Sequence, residues 1–329
     1  MSRPTILVTG GAGYIGSHVA LELLRRGCRV VIYDRNPVPQ GLVDVRTDGE
    51  LSGVRADLAN SDALNAALER FRPDAAIHLA GYIAVAESVE NPAKYYHNNI
   101  TNGIVLLDML LAHGVKRFVF SSSAAVYGMP ERVPIPEDHP TAPINPYGRT
   151  KWMFEFILRD YDTAWGMKSM LLRYFNAAGA DDTGAIGEAH DPETHLIPLV
   201  LQVPLGLREN ISVFGTDYPT RDGTCVRDYI HVTDLAVAHV LAVEALLDDA
   251  PSDVFNLGNG QGHTVREVIE TAGKVVGRQI AAVEKPRRPG DPPALVASSQ
   301  KIIERLGWQP QRSDLATIIE SAWRWHSGK

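Results

Sequence analysis

A strand that runs straight into a cluster of glycines constrains this chain more than any other stretch. Thr5-Ile6-Leu7-Val8-Thr9 is apolar and β-branched, and Gly10-Gly11-Ala12-Gly13-Tyr14-Ile15-Gly16-Ser17 follows it directly. Such a run reads as a buried strand, a tight turn and a helix that begins near Tyr14. Glycines lack Cβ, so a pyrophosphate can approach the amide groups of the helix N-terminus, where the dipole favours negative charge. The spacing Gly11-x-Gly13-x-x-Gly16 matches the dinucleotide fingerprint, and Gly10-x-x-Gly13-x-x-Gly16 is a close variant.

A second apolar run, Val30-Val31-Ile32-Tyr33, ends in Asp34, 23 residues after Gly11. A carboxylate at this point accepts the hydroxyls of an adenosine ribose and repels a 2′-phosphate, so NAD is expected rather than NADP. Asp57, which follows a short segment at 53–56, is placed to meet the adenine amino group.

The chain has 329 residues, 45% of them hydrophobic and 22% charged, enough for a large core and two lobes. Its net charge of -7 is spread with mixed signs, which excludes a nucleic-acid footprint. Cys28 and Cys225 stand at no metal-ligand spacing, and the eleven histidines show neither HExxH nor an i,i+4 pair, so no metal centre is expected. With no apolar run of membrane-spanning length and no signal peptide before the first strand, the expected compartment is the cytoplasm.

From Thr5 to about Arg173 strands alternate with helices. Helices are expected at 14–26, at 61–71 with a Ser61 cap, at 93–113 with Ile100, Ile104, Leu107 and Leu111 on one face, and at 147–165. Strands are expected at 75–80, 118–121 and 169–173. Repeated βαβ units imply an α/β fold, a Rossmann-type doubly wound parallel sheet. After Asn176 glycine and proline become denser, and strand-like runs such as 211–214 and 253–257 are short and scattered between helices at 233–247, 265–276 and 314–326. Residues 1–175 are therefore read as the nucleotide-binding domain. Residues 176–329 are read mainly as a smaller α/β substrate lobe, some segments of which return to the first domain.

Asn145-Pro146-Tyr147-Gly148-Arg149-Thr150-Lys151 carries the chemistry. Asn145 suits an N-cap and Pro146 the first helical position, which sets Tyr147 and Lys151 one turn apart on the same face. Taken alone, a Tyr with Lys at i+4 is an ordinary surface pair. As a base near neutral pH the phenol needs a shift of about 3 units from its usual pKa of about 10. Lys151, the helix N-terminus and a cationic nicotinamide all favour phenolate. Ser123, just past the strand at 118–121, can bond the reacting hydroxyl and relay its proton to Tyr147.

These motifs together resemble the extended short-chain dehydrogenase/reductases, and within them the UDP-glucose (UDP-galactose) 4-epimerases. The likeness covers nearly the whole chain, through residues 10–17, 85–99, 121–128, 146–151, 173–179, 214–235 and 286–293. Gly223-Thr224-Cys225-Val226-Arg227-Asp228-Tyr229-Ile230-His231-Val232 and Arg287-Arg288-Pro289-Gly290-Asp291 are its most distinctive blocks. The resemblance implies reversible oxidation at C4 of a UDP-hexose by tightly held NAD, rotation of the 4-keto sugar and reduction from the other face. Catalysis would then fall to Ser123, Tyr147 and Lys151. Cofactor contacts would come from Gly10, Gly13, Tyr14, Ile15, Asp34, Asp57, Leu58, Leu79, Ala80, Asn98, Ser121, Tyr147, Lys151 and Tyr174. Substrate contacts would come from Ser123, Tyr147, Asn176, His195, Leu196, Ser212, Phe214, Arg227, Tyr229, Arg288 and Asp291. Arg227 and Arg288 would clamp the diphosphate, since guanidinium forks suit phosphate oxygens. Asp291 would take ribose hydroxyls. The same resemblance implies a homodimer formed through the helices at 93–113 and 147–165.

Nucleotide-sugar dehydratases of this superfamily carry an Asp-Glu pair where this chain has Ala124 and Ala125, so elimination is disfavoured. Ile83 stands where many such epimerases have a Lys near the nicotinamide ribose. Leu295 stands where the family's residue limits the sugar pocket, and it would admit an N-acetyl group in part. The alternatives are the same reaction on N-acetylhexosamines or on UDP-xylose and UDP-arabinose. A non-catalytic nucleotide-binding protein is a reading from a different class, and the retention of both Tyr147 and Lys151 argues against it.

Overall fold

The computed structural model describes residues 3–45, 47–288 and 290–328. Strands β1 (Thr5–Thr9), β2 (Arg29–Asp34), β3 (Glu50–Arg55), β4 (Ala75–His78), β5 (Arg117–Ser123) and β6 (Lys168–Tyr174) lie where apolar runs met turn residues. After them come β7 (Asn176–Ala178), β8 (Ile211–Phe214), β9 (Val226–Arg227), β10 (Tyr229–His231) and β11 (Asp253–Leu257). The last strands are β12 (His263–Thr264), β13 (Ala282–Lys285) and β14 (Ala294–Leu295). Among the described residues seven strands form one parallel sheet in the order β11-β6-β5-β4-β1-β2-β3. The order reverses between β1 and β4, the switch point at which doubly wound sheets take their ligands.

Alternation along the strands divides the core. Ile6, Val8, Val30, Ile32, Val119 and Leu172 face the helices Tyr14–Arg25 and Val232–Leu247. Leu7, Val31, Phe118, Phe120 and Leu171 face the helices Ser61–Phe71, Asn102–Ala112 and Pro146–Trp165. Both faces are dry, as all-parallel sheets require.

Three expectations change. The run 253–257 is no scattered strand of the lobe: as β11 it pairs with β6, Asp253 opposite Met170 through Leu257 opposite Tyr174, and closes the sheet edge. Its Phe255 and Leu257 are fully buried there, and covering β6 supplies that burial. The expected helix at 93–113 is three segments, Pro92–Tyr96, a π-helical turn His97–Thr101, and Asn102–Ala112. One extra residue in that turn shifts the phase of the face, so Tyr95, Asn99, Gly103, Leu106, Leu107 and Leu110 are buried while Ile100, Ile104 and Leu111 are only half-buried. Finally, the cap of the helix Ser61–Phe71 is Asn60, whose side chain accepts from Ala63 N. The short helices Gln40–Asp44, Val85–Glu90, Leu196–Gln202 and Gln300–Leu306 carried no periodicity long enough to read.

The remaining C-terminal strands make small sheets, β7 with β10, β8 with β13, and β9 between β12 and β14. Ile197, Val200, Leu201, Val268, Leu315, Ile318 and Ile319 fill the core of this part. Among the described residues no helix is long and apolar enough to cross a membrane.

Candidate active site

Two positions around the turn after β1 admit only glycine. Gly10 has φ +75°, and a Cβ on it would lie 2.5 Å from Ala80 N. On Gly16 a Cβ would lie 2.1 Å from Gly10 O, so this glycine sets the close packing of helix on turn. Gly13 is different: a Cβ there would meet only Gly10 O, at 3.3 Å, and otherwise open space. It caps the helix Tyr14–Arg25 with no side-chain hydrogen bond. The amides of that first turn form a cradle for a phosphate. Asp34 faces the same turn, accepting from Ala12 N at 3.1 Å and Asn36 N at 2.8 Å, where a ribose diol fits beside it. A dinucleotide therefore suits the residues present.

The other expected cofactor contacts divide into wall and framework. Leu79 and Ala80 both donate their amides to Thr9 O and so wall the loop. Ile15 is half-buried in the first turn of the dinucleotide helix. Tyr14 is buried and its hydroxyl donates to Gly179 O at 2.7 Å, tying the loop to the C-terminal part. Leu58 is buried, whereas Asp57 is exposed and accepts from Ala59 N. Asn98 donates to Asn99 Oδ1 at 2.9 Å.

Asn145 accepts from Gly148 N at 2.8 Å and starts the helix Pro146–Trp165 with proline in its first turn, as the sequence implied. Tyr147 and Lys151 are 7% and 4% exposed. Ser123 Oγ accepts from Ala125 N at 3.2 Å, and its hydroxyl is the group that pulls the Tyr147 pKa down against burial, as a side chain beside the phenol would. Lys151 Nζ donates to Ser121 O at 2.8 Å and lies 6.0 Å from the centre of the Tyr147 ring. The chain's own groups do not by themselves bring the phenol down, which leaves that part of the expectation to the nicotinamide. Burial raises the Tyr147 pKa and the Ser123 hydroxyl only partly opposes it, while burial lowers Lys151 to about 8. The ammonium is held on a carbonyl rather than on the phenol.

Behind this layer lies polar structure that the sequence did not disclose. Glu155 takes Ser122 Oγ at 2.6 Å and pairs with Arg173 at 2.5 Å, both side chains being buried. Arg173 continues to Tyr127 OH at 2.9 Å, and that hydroxyl donates to Asn256 at 2.8 Å. Ser121 Oγ meets His239 Nε2 at 3.0 Å, and Tyr174 packs its ring 6.1 Å from that of His239. Asn99, at the centre of the π-turn, accepts from Tyr82 N at 2.9 Å and donates to Tyr82 O at 3.0 Å and Thr150 Oγ1 at 3.2 Å. Two asparagines inside an apolar helical pattern were the available signal for this brace.

On the other side of the cleft, Arg227 Nη2 stands 3.6 Å from Asp291 Oδ1, and its Nη1 donates to the carbonyls of Val226 and Pro292. Arg288 is exposed and stacks 3.8 Å over the Phe214 ring. Ser212 and Phe214 share the half-exposed face of β8. Pro289, within the Arg-Arg-Pro-Gly-Asp block, lies outside the described residues. Asn176 Nδ2 donates to Asp228 O at 2.9 Å, and Tyr229 is buried in the C-terminal core. His195 caps the helix that Leu196 begins, but its ring turns to Glu188, with Nδ1 2.6 Å from Oε1. Glu188, His190, Glu193 and His195 converge there, a grouping that histidine spacing along the chain does not show. Ile83 is 43% exposed and makes no charged contact in place of the family's Lys.

This geometry can be set beside known proteins. A UDP-glucose 4-epimerase of Rhizobium meliloti is 51% identical over 327 residues, covering 99% of this chain and 98% of its own. The crystal structure of UDP-glucose 4-epimerase from Brucella ovis in complex with NAD is 46% identical, with TM-score 0.92 and 97% of both chains covered. That of the Bifidobacterium longum UDP-glucose 4-epimerase in complex with NAD+ and UDP is 39% identical, with TM-score 0.92 over 99% of this chain and 98% of that one. A family model matches residues 6–258, the span that runs from the glycine turn through β11, and the chain belongs to the NAD dependent epimerase/dehydratase family.

Proposed function

We infer that this protein interconverts UDP-galactose and UDP-glucose by NAD-dependent epimerisation at C4. One arrangement carries the reading: a buried Tyr147 with a buried Lys151 one helical turn on, held on the strand that ends in Ser123, and alanines at 124 and 125. When bound, NAD supplies the reversible acceptance of hydride at C4. Tyr147 takes the O4 proton through Ser123 and returns it to the same oxygen, so no net proton or electron is exchanged with solvent. Lys151, held on Ser121 O, is placed to order the nicotinamide ribose and to favour phenolate once positive charge lies nearby. Ala124 and Ala125 offer neither acid nor base for loss of the C6 hydroxyl, which leaves oxidation and reduction at C4.

The sugar must turn over while its nucleotide stays fixed, and the residues divide accordingly. Arg227, Arg288 and Asp291 are assigned to the diphosphate and ribose, with Phe214, Ser212, Asn176, Leu196 and Tyr229 lining that half of the site. Gly10, Gly13, Tyr14, Ile15, Asp34, Asp57, Leu58, Leu79, Ala80, Asn98, Ser121 and Tyr174 are assigned to the cofactor. The chain is placed in the cytoplasm, consistent with two unpaired cysteines.

A homodimer is assigned to the face formed by the helices Val85–Glu90, Asn102–Ala112 and Pro146–Trp165. Val89, Val105, Met153, Phe156 and Trp165 are exposed on these helices. Sedimentation velocity should give a dimer for the native chain and a monomer for Phe156→Asp. A native monomer sinks the assignment.

The reaction itself is tested by incubating purified protein, with no cofactor added, separately with UDP-galactose, UDP-N-acetylgalactosamine and UDP-xylose while following anomeric protons by NMR. Conversion of UDP-galactose to UDP-glucose is the expected result, and the relative rates rank the sugars. No conversion of any sugar after NAD is supplied overturns the reading.

A further inference from the structure

The segment that leads into the helix Leu196–Gln202 takes no part in the proton relay or the diphosphate clamp, and His195, expected above as a substrate contact, turns its ring into it. Glu188, His190, Glu193 and His195 each turn one donor atom inward, and the four atoms lie within 4.8 Å of one another. His195 Nδ1 is 2.6 Å from Glu188 Oε1 and 3.4 Å from Glu193 Oε1. His190 Nδ1 is 3.0 Å from Glu188 Oε1 and 3.9 Å from Glu193 Oε2. A tetrahedral ion with ligands at about 2.0–2.1 Å sets its donors about 3.4 Å apart, within the spread seen here.

Two further observations point to a cation. The Glu188 and Glu193 side chains are 3% and 7% exposed, and among the described residues their cationic partners are His190 and His195 alone, with no Lys or Arg. Buried carboxylates need positive charge close by. His195 Nδ1 is itself buried and lies out of line for a hydrogen bond despite its close approach to Glu188. As a neutral ring His195 can offer that nitrogen's lone pair to a cation.

The surroundings hold the donors in place. Glu193 Oε1 accepts from the amides of Thr194 at 2.7 Å and His195 at 2.8 Å, and the Glu188 carbonyl accepts from Trp325 Nε1 at 2.8 Å. The His190 ring packs edge-on against Tyr14, 6.2 Å between centres. Such outer contacts orient metal ligands.

We propose that Glu188, His190, Glu193 and His195 form a binding site for one first-row divalent metal ion of the zinc class. All four positions are filled by protein, so the ion is structural. It joins the cap of the helix Leu196–Gln202 to the segment that packs on Tyr14, the first residue of the dinucleotide helix. The site thus ties the start of the substrate half to the cofactor turn.

The rival is a metal-free ion cluster. Burial opposes a charge on His195, but Glu188 and Glu193 outweigh it and lift its pKa to about 10. Tag-free protein with its NAD retained would be stripped by chelator and titrated with Co2+ and then Zn2+. One equivalent of Co2+ per chain with the visible absorption of four-coordinate cobalt is expected, as are its displacement by Zn2+ and a rise in Tm. His190→Ala removes a partly exposed ligand and should weaken Co2+ at least about a hundredfold, with the unliganded Tm little changed. Less than a tenth of an equivalent bound by the native chain at micromolar Co2+ overturns the proposal, and so does equal binding by the variant. Imidazole nitrogen NMR showing His190 and His195 as imidazoliums indifferent to Zn2+ overturns it as well.

Discussion

The two halves of this molecule hold their functional residues by different means. In the nucleotide half the glycine turn, Asp34 and Ser123 sit at the carboxyl ends of β1, β2 and β5, inside one sheet whose strands brace each other on both sides. In the C-terminal half the strands are short, and buried side chains take over the bracing. Asp228 accepts from Asn259 N, Gly260 N and Ala297 N at 2.7–3.0 Å, and Asp234 accepts from Gln311 N and Arg312 N. The first half is a lattice of backbone bonds and the second a set of pins. A pin can be drawn singly, with a local effect, while a lattice position fails with its neighbours.

The sharpest test separates chemistry from framework within the nucleotide half. Tyr147→Phe keeps the ring and removes the phenol, so kcat should fall by about 10³–10⁴ while Tm and bound NAD remain as in the native protein. Activity within tenfold of native would remove the relay from the account. Next in size is the buried ion pair that underlies the nucleotide half: Glu155→Gln leaves Arg173 buried without its partner and should cost about 3–5 kcal/mol in urea unfolding. Asp228→Asn draws one pin and should cost about 1–3 kcal/mol. Its kinetic signature should be a raised KM for the UDP-sugar with a smaller change in kcat. Equal loss in both would mean that the two halves are not mechanically separate.

The last test reads a slope rather than a loss at one pH: the acid sensitivity of the layer beneath the site. Burial lowers His78 to about 3, with Lys151 adding to it, and burial lowers His239 to about 4. Unfolded histidine titrates near 6.5, so the unfolded chain takes up protons first as pH falls. Their contribution is therefore complete above pH 6.5 and lost on descent toward pH 4, at about 1.4 kcal/mol per pH unit for each histidine. Urea midpoints between pH 6.5 and 4.5 measure this, and His239→Asn should flatten the slope. An unchanged slope would assign the acid loss to other groups.

The same contrast decides what could be read without coordinates. Gly10, Gly13, Gly16, Asp34, Asn145, Tyr147 and Lys151 follow from local rules, since turn, cap and helical spacing are properties of neighbouring residues. Ser123 needed one strand end. The place of Asp253–Leu257 beside β6 is a pairing across some eighty residues, and alternation alone names no partner. The π-turn at His97–Thr101 breaks the period on which helix reading rests. Glu155 with Arg173, and the four donors from Glu188 to His195, are defined by convergence in space.

The late arrival of β11 also bears on how the protein is made. Both the helix Val232–Leu247, which covers one face of the sheet, and the strand that seals its edge are encoded after most of the chain has left the ribosome. Until then the nascent polypeptide carries β6 as an open edge, with Met170 and Leu172 uncovered. Exposed strand edges of this kind are what chaperones attend to. Synthesis halted before residue 253 releases a product that cannot close its own sheet.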